Sequence, residues 1–158
     1  EHLEIAMRQD RGVFATLRAK MTPADEERIA EQLRMIGLEA KAGRKAGSLS
    51  HGEKQWLEIG MMLMQEPEVL LLDEPAAGMT DRETEKTGLL LREIARRRSV
   101  VVVEHDMEFV RNFASSVTVM HEGRLLAEGS VDEVQRDERV MEVYLGRRRD
   151  ADAGRSTA

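Results

Sequence analysis

The chain has 158 residues, of which 41% are hydrophobic and 34% charged, with a net charge of -6. That is enough for one domain with a true core, and with only 3% aromatics the core must come from Leu, Val, Ile and ten Met. The acidic balance excludes a general nucleic-acid binder, the lack of cysteine excludes disulfides and thiolate metal sites, and no apolar run reaches the ~20 residues of a membrane span.

The predicted elements begin with a mostly helical stretch over residues 1–66. Thr22-Pro23-Ala24-Asp25 reads as a helix start, with a hydroxyl cap, a proline in the first turn and an acid near the positive end. Ile29, Leu33 and Ile36 then share one face, and Gly37 is placed to end the helix. Residues 39–48 read as a polar loop. Gly43-Arg44-Lys45-Ala46-Gly47-Ser48 superficially suggests a phosphate loop, but it lacks Gly-Lys-Ser and follows a helix instead of a strand. Ser50-x-x-Glu53 is a capping box that opens the next helix, which carries Trp56, Leu57, Ile59 and Met61–Met64 and stops before Pro67.

Beyond Pro67 strands and helices alternate. Val69–Leu72 and Val100–Val103 are continuous apolar runs, the pattern of parallel strands covered on both faces. A helix over about 81–97 carries Thr87, Leu90, Leu91 and Ile94 on one face, and a short one carries Met107, Val110 and Phe113. Val117–Met120 and Leu125–Ala127 read as a hairpin turning at Glu122-Gly123. Ser130-x-x-Glu133 caps a short helix, residues 138–145 form the last one, and the polar chain from Arg147 is expected to be disordered. Arg96–Arg98 and Arg147–Arg149 read as a helix C-terminus and a solvated tail.

Three places carry chemistry. At Leu49-Ser50-His51-Gly52-Glu53-Lys54-Gln55, a helix N-terminus offers free N–H groups and a serine hydroxyl to an anion, although Ser-x-x-Glu is also a common ligand-free cap. Asp73 and Glu74 follow 23 and 24 residues after Ser50, at the C-terminal end of a strand, where open α/β sheets place ligands. Strand alternation would send the two carboxylates to opposite sides. His105 sits just past the second strand, 32 residues after Asp73. Between them Gly78-Met79-Thr80-Asp81 leads into a helix that Thr80 or Asp81 can cap. His2 and His121 have no motif around them.

These strings resemble the ATP-binding cassettes of ABC transporters: the signature motif at Ser50, the Walker B acids after Val69–Leu72, the D-loop at Gly78–Asp81 and the switch histidine at His105. His51 and Glu53 depart from the usual Leu-Ser-Gly-Gly-Gln. Asp-Glu-Pro-Ala-Ala-Gly-Met-Thr, Val-Glu-His-Asp-Met and Val143–Gly146 are similar to the branch that imports branched-chain amino acids and urea, and Trp56 with Glu83–Lys86 leans toward urea. The resemblance implies ATP and Mg²⁺ as cofactors. Asp73 would order the Mg²⁺ water shell, Glu74 and His105 would be catalytic, and Ser50, His51, Gly52, Glu53 and Asp81 would meet the nucleotide bound by a second ATP-binding subunit, identical or not.

The implied fold is α/β, a partial RecA-like P-loop NTPase core. It comprises a helical subdomain at 1–66, the back half of the core with its small hairpin at 67–146, and a tail at 147–158. The implied partners are membrane permease subunits, with no nucleic acid and no direct contact with the transported solute, and the implied location is the cytoplasmic face of the cell membrane. No Gly-x-x-x-x-Gly-Lys-Ser/Thr string lies in the sequence, and Glu1-His2-Leu3-Glu4 reads as the start of a segment cut from a longer chain. The polypeptide alone is therefore expected to lack ATPase activity and to self-associate through an uncovered strand edge. The competing readings are a soluble cassette ATPase of DNA repair or translation, which a coiled-coil insertion or second cassette would mark, and a non-enzymatic interaction module.

Overall fold

A computed structural model describes residues 1–7 and 21–143 of the chain. It divides into two compact units, Glu1–Phe109 and Val110–Ala158. The expected tail, the second basic run and the end of the last helix lie outside the described residues, and residues 138–143 are helical.

The first unit opens with α1 (His2–Ala6) and α2 (Pro23–Met35). The start of α2 follows from its caps: the Thr22 hydroxyl accepts from the Asp25 amide, and the Asp25 carboxylate accepts in return from Thr22. Its end follows from Gly37, whose φ of 68° only glycine adopts without strain. Gly37 N–H bonds the Arg34 carbonyl and Leu38 N–H bonds that of Leu33, the paired closure of a Schellman motif. Residues 39–48 are more ordered than a loop, forming two 3₁₀ turns, Glu39–Lys41 and Ala46–Ser48. Then α3 (His51–Leu63) starts on Ser50, with the expected reciprocal box to Glu53. Leu3, Met7 and Met64 form a buried cluster against which Ile29, Leu33, Leu57 and Met61 pack.

Two parallel strands follow, β1 (Val69–Asp73) and β2 (Ser99–Val103), paired in register from Val69↔Ser99 to Asp73↔Val103. They are connected by α4 (Asp81–Ala95), which buries Thr87, Gly88, Leu90, Leu91 and Ile94. The parallel pairing matches the sequence reading; the burial does not. Leu70 and Leu72 are buried, while Leu71 is 69% and Val103 62% exposed. A continuous apolar run signals two covered faces, yet these strands alternate between covered and open among the described residues. Arg98, in the first basic run, donates to the Pro67 carbonyl at 2.7 Å, and Arg96 pairs with Glu93, so this run is occupied locally.

In α5 (Met107–Phe113) the boundary between the units falls after Phe109. The second unit holds the antiparallel hairpin β3 (Val117–His121) and β4 (Arg124–Gly129). Glu122 and Gly123, with φ of 49° and 75°, make its two-residue turn with both central residues left-handed. Ser130 caps α6 (Val131–Arg136), and Ala127, Val134 and Val140 form the unit's core.

Candidate functional site

Glu74 leaves β1 through a left-handed residue. Its φ is 44°, a conformation that costs a side-chain-bearing residue free energy and collects at functional positions. The Glu74 N–H bonds the Val103 carbonyl at 2.9 Å, so the turn is stitched to the last residue of β2. Asp73 and Glu74 are thus separated by this turn and not by strand alternation, because Glu74 has already left the strand. Both are exposed. The Asp73 side chain makes no hydrogen bond or ion pair among the described residues.

Across the turn, His105 Nδ1 lies 3.0 Å from Glu74 Oε1. An ionised carboxylate only accepts, so the imidazole donates through Nδ1–H. Two parallel strands, ending side by side, therefore hold an acid and a histidine in contact.

Ser50, His51, Gly52 and Glu53 form a second group. The Ser50 hydroxyl accepts from the Glu53 amide and donates to Glu83 Oε1 at 3.0 Å. His51 Nε2 donates to the Ala77 carbonyl at 3.0 Å. Gly52 is buried, and a Cβ there would lie 2.7 Å from the Glu83 carboxyl carbon. Glu53 pairs with Lys41, which with the Ser50 amide holds its carboxyl below the usual range. Hydrogen bonds from the Thr80 amide and hydroxyl, then from Ser50, do the same for Glu83.

The two groups do not touch. They are joined through the intervening loop, where Ala77 N–H returns to the Glu74 carbonyl at 3.0 Å while the Ala77 carbonyl receives His51. Asp81 opens α4 on the surface, one residue past the Thr80 cap.

The ABC transporter family model matches residues 3–77, and a second model, the branched-chain amino acid ATP-binding cassette transporter, matches residues 124–150. Together they span more than half of the chain. The chain belongs to the ATP-binding cassettes of ABC transporters. It is 35% identical over 122 residues to the high-affinity branched-chain amino acid transport ATP-binding protein LivG of Salmonella typhimurium, covering 76% of this chain and 48% of that protein. It is 34% identical over 122 residues to BraF of Pseudomonas aeruginosa, a protein of the same description, with the same coverage. Among solved structures, an ATP-binding cassette of an ABC transporter in its ADP conformation superposes with a TM-score of 0.71 at 28% identity, over 92% of this chain and 62% of that one. The chain spans about half the length of the curated relatives it matches.

The fold is that of a RecA-like cassette core, as the sequence implied. Two cassette residues escaped the sequence reading. Glu83 was visible only as part of a branch-specific string, although Thr80-x-x-Glu83 is a capping box. Glu104, buried beside His105, left no signal beyond its neighbour.

Proposed function

We propose that this cassette belongs to an ATP-hydrolysing subunit of an importer, and that it works as a dimer of ATP-binding subunits on the cytoplasmic face of a membrane permease. The observation that carries the reading is the 3.0 Å contact between His105 Nδ1 and Glu74 Oε1 at the ends of two parallel strands. A carboxylate held this way by an imidazole N–H is aimed, as a group that orients or deprotonates water must be.

Asp73 suits Mg²⁺. It is a hard oxygen donor, exposed and uncommitted, and Mg²⁺ keeps several waters while taking one or two carboxylates together with phosphate oxygens. The ion would supply charge neutralisation at the phosphates. The His51 and Gly52 amides supply hydrogen-bond donors at the N-terminus of α3, suited to the triphosphate held by the second subunit; Glu53 caps that turn, and the Ser50 hydroxyl would join the amides by turning from Glu83. His51 and Asp81, either side of the Ala77–Thr80 loop, would line the junction with that subunit. Contact with the permease falls to residues 1–66, contact with nucleic acid is disfavoured by charge, and the transported solute stays with the permease. No helix among the described residues is long and apolar enough to cross a membrane.

Branched-chain amino acids are the favoured cargo, from the descriptions of LivG and BraF; urea, suggested by Trp56 and Glu83–Lys86, finds no support in those names. The 158-residue chain carries no phosphate loop and by itself hydrolyses no ATP. The test is Mg²⁺-dependent ATPase of this segment completed by a phosphate-loop half. Glu74→Gln is expected to lower kcat about a hundredfold or more, and unchanged turnover refutes the assignment. Turnover by the 158-residue chain, abolished by Glu74→Gln, refutes the inactivity.

A further inference from the structure

The geometry points to Glu104 as a positioning residue that holds His105 against Glu74. Its side chain is only 3% exposed, an unusual burial for a carboxylate. The described residues give it no lysine or arginine partner. Instead Oε1 accepts from the Ala76 amide at 3.4 Å and Oε2 from the His105 amide at 3.3 Å. A buried charge is costly unless hydrogen-bonded, so both amides are committed to keeping it there.

Those two amides belong to the two strand exits. Ala76 lies in the turn that Glu74 begins, closed by Ala77 N–H on the Glu74 carbonyl. His105 begins the exit from β2. Glu104 therefore bridges the two exits with one oxygen on each, and the same two exits carry the contact between His105 and Glu74. Oε2 also lies 3.9 Å from His105 Nδ1, too long for a hydrogen bond, so acceptor oxygens of both Glu74 and Glu104 face that side of the ring and suit the Nδ1–H tautomer. The span fixes both the separation of the pair and the ring nitrogen that carries the proton. An amide in place of the carboxylate cannot do the same, because one end of Gln is a donor and would face a backbone N–H.

This role rests on Glu74 and His105 being the reacting pair, and its test separates the two ideas. In the 158-residue chain, without nucleotide, the ring ¹⁵N resonances of His105 are compared between the parent and Glu104→Gln. The expected result is a proton on Nδ1 in the parent and a shift toward the Nε2–H tautomer in the variant, with His51 unchanged as the internal control. His105 resonances that stay the same in a folded variant overturn the proposal. If Glu104→Gln shows no cooperative melt, Glu104→Asp is read instead; it keeps the charge but is too short to reach both amides, and the same shift is expected. In the completed cassette, Glu104→Gln lowers kcat roughly tenfold to a hundredfold, as for a small misplacement of reacting groups. ATP KM stays within about twofold, since ground-state binding is untouched. Equal kcat overturns it. ATPase indifferent to Glu74→Gln, with the His105 shift still present, defeats the catalytic reading and leaves the positioning intact.

Discussion

The indole N–H of Trp56 donates to the Thr87 hydroxyl at 2.9 Å in the core of the first unit, tying α3 to α4. The same hydroxyl gives its own proton to the Glu83 carbonyl at 2.8 Å. Lys86 lies 3.7 Å from the centre of the Trp56 ring. Residues 83, 86 and 87 share one face of α4, so Ser50 on Glu83 and Trp56 on Thr87 and Lys86 register two helices at three heights. Thr87→Val keeps the shape and removes the acceptor. It is expected to destabilise by about 1–3 kcal/mol, the cost of a buried donor left unpaired. Adding Trp56→Phe, which removes that donor, should cost less than the sum of the single changes. Urea unfolding of the four chains completes the cycle; strict additivity would deny the bond its role.

Gly37 ends α2 beside Lys86 of α4, whose ammonium donates to the Gly37 carbonyl at 3.5 Å. Its φ is 68°, and a Cβ there would sit 2.5 Å from Lys86 Nζ. Gly37→Ala is therefore expected to cost about 1–2 kcal/mol from the left-handed backbone alone. It also drives Lys86 off Trp56, and Lys86→Ala in the same background should recover part of the loss by clearing the space. Thermal melts read both steps. A Gly37→Ala chain as stable as the parent would mean that the turn relaxes freely.

Four capping carboxylates set the acid response. Asp25, Glu83 and Glu133 are held below their ordinary values first by backbone hydrogen bonds from Thr22, Thr80 and Ser130, and Glu53 first by Lys41. Arg139 lowers Asp137 to about 2. A depressed folded-state pKa means that the unfolded chain takes up protons first. The stabilisation is complete above the ordinary values of 3.8 and 4.5 and is lost as pH falls below them. The melting temperature should hold from neutrality to about pH 5 and then decline toward pH 2. Glu53→Gln keeps a cap-competent side chain but no ionisable partner for Lys41, so its decline should be shallower. A slope identical to the parent would place the acid sensitivity elsewhere.

The features legible in the sequence were local. Thr22, Ser50 and Ser130 announce their helices because an acid stands three residues on, and Glu122-Gly123 announces its turn because both residues can be left-handed. The distant pairings were not legible as such. Ser50 with Glu83, and Trp56 with Thr87, arise when two helices pack, and Glu104 is buried only because two strand exits converge on it. His105 was found through its distance from Asp73 and the resemblance that gave this distance meaning. The left-handed turn at Glu74 had no sign at all, since glutamate does not favour it. Residues 69–72 and 100–103 misled on burial, because apolar continuity reports a preference for two covers and cannot report which are present.

That uncovered face supplies the last prediction. Val69 and Val101 are about half exposed, and Leu71 and Val103 are 69% and 62% exposed. Leu71 pairs with Val101 in register, so these side chains form one continuous apolar row. Burying apolar area is favourable by roughly 25 cal/mol per Å², and an open parallel edge adds unpaired backbone groups. The 158-residue chain is therefore expected to self-associate as its concentration rises. Leu71→Lys with Val101→Thr should return it toward the monomer without lowering the melting temperature, since neither position contributes to the buried side of the sheet. Light scattering coupled to size-exclusion chromatography measures both chains. A parent that remains strictly monomeric at high concentration would show that this row is too small or too curved to pair, and the double substitution would then change nothing.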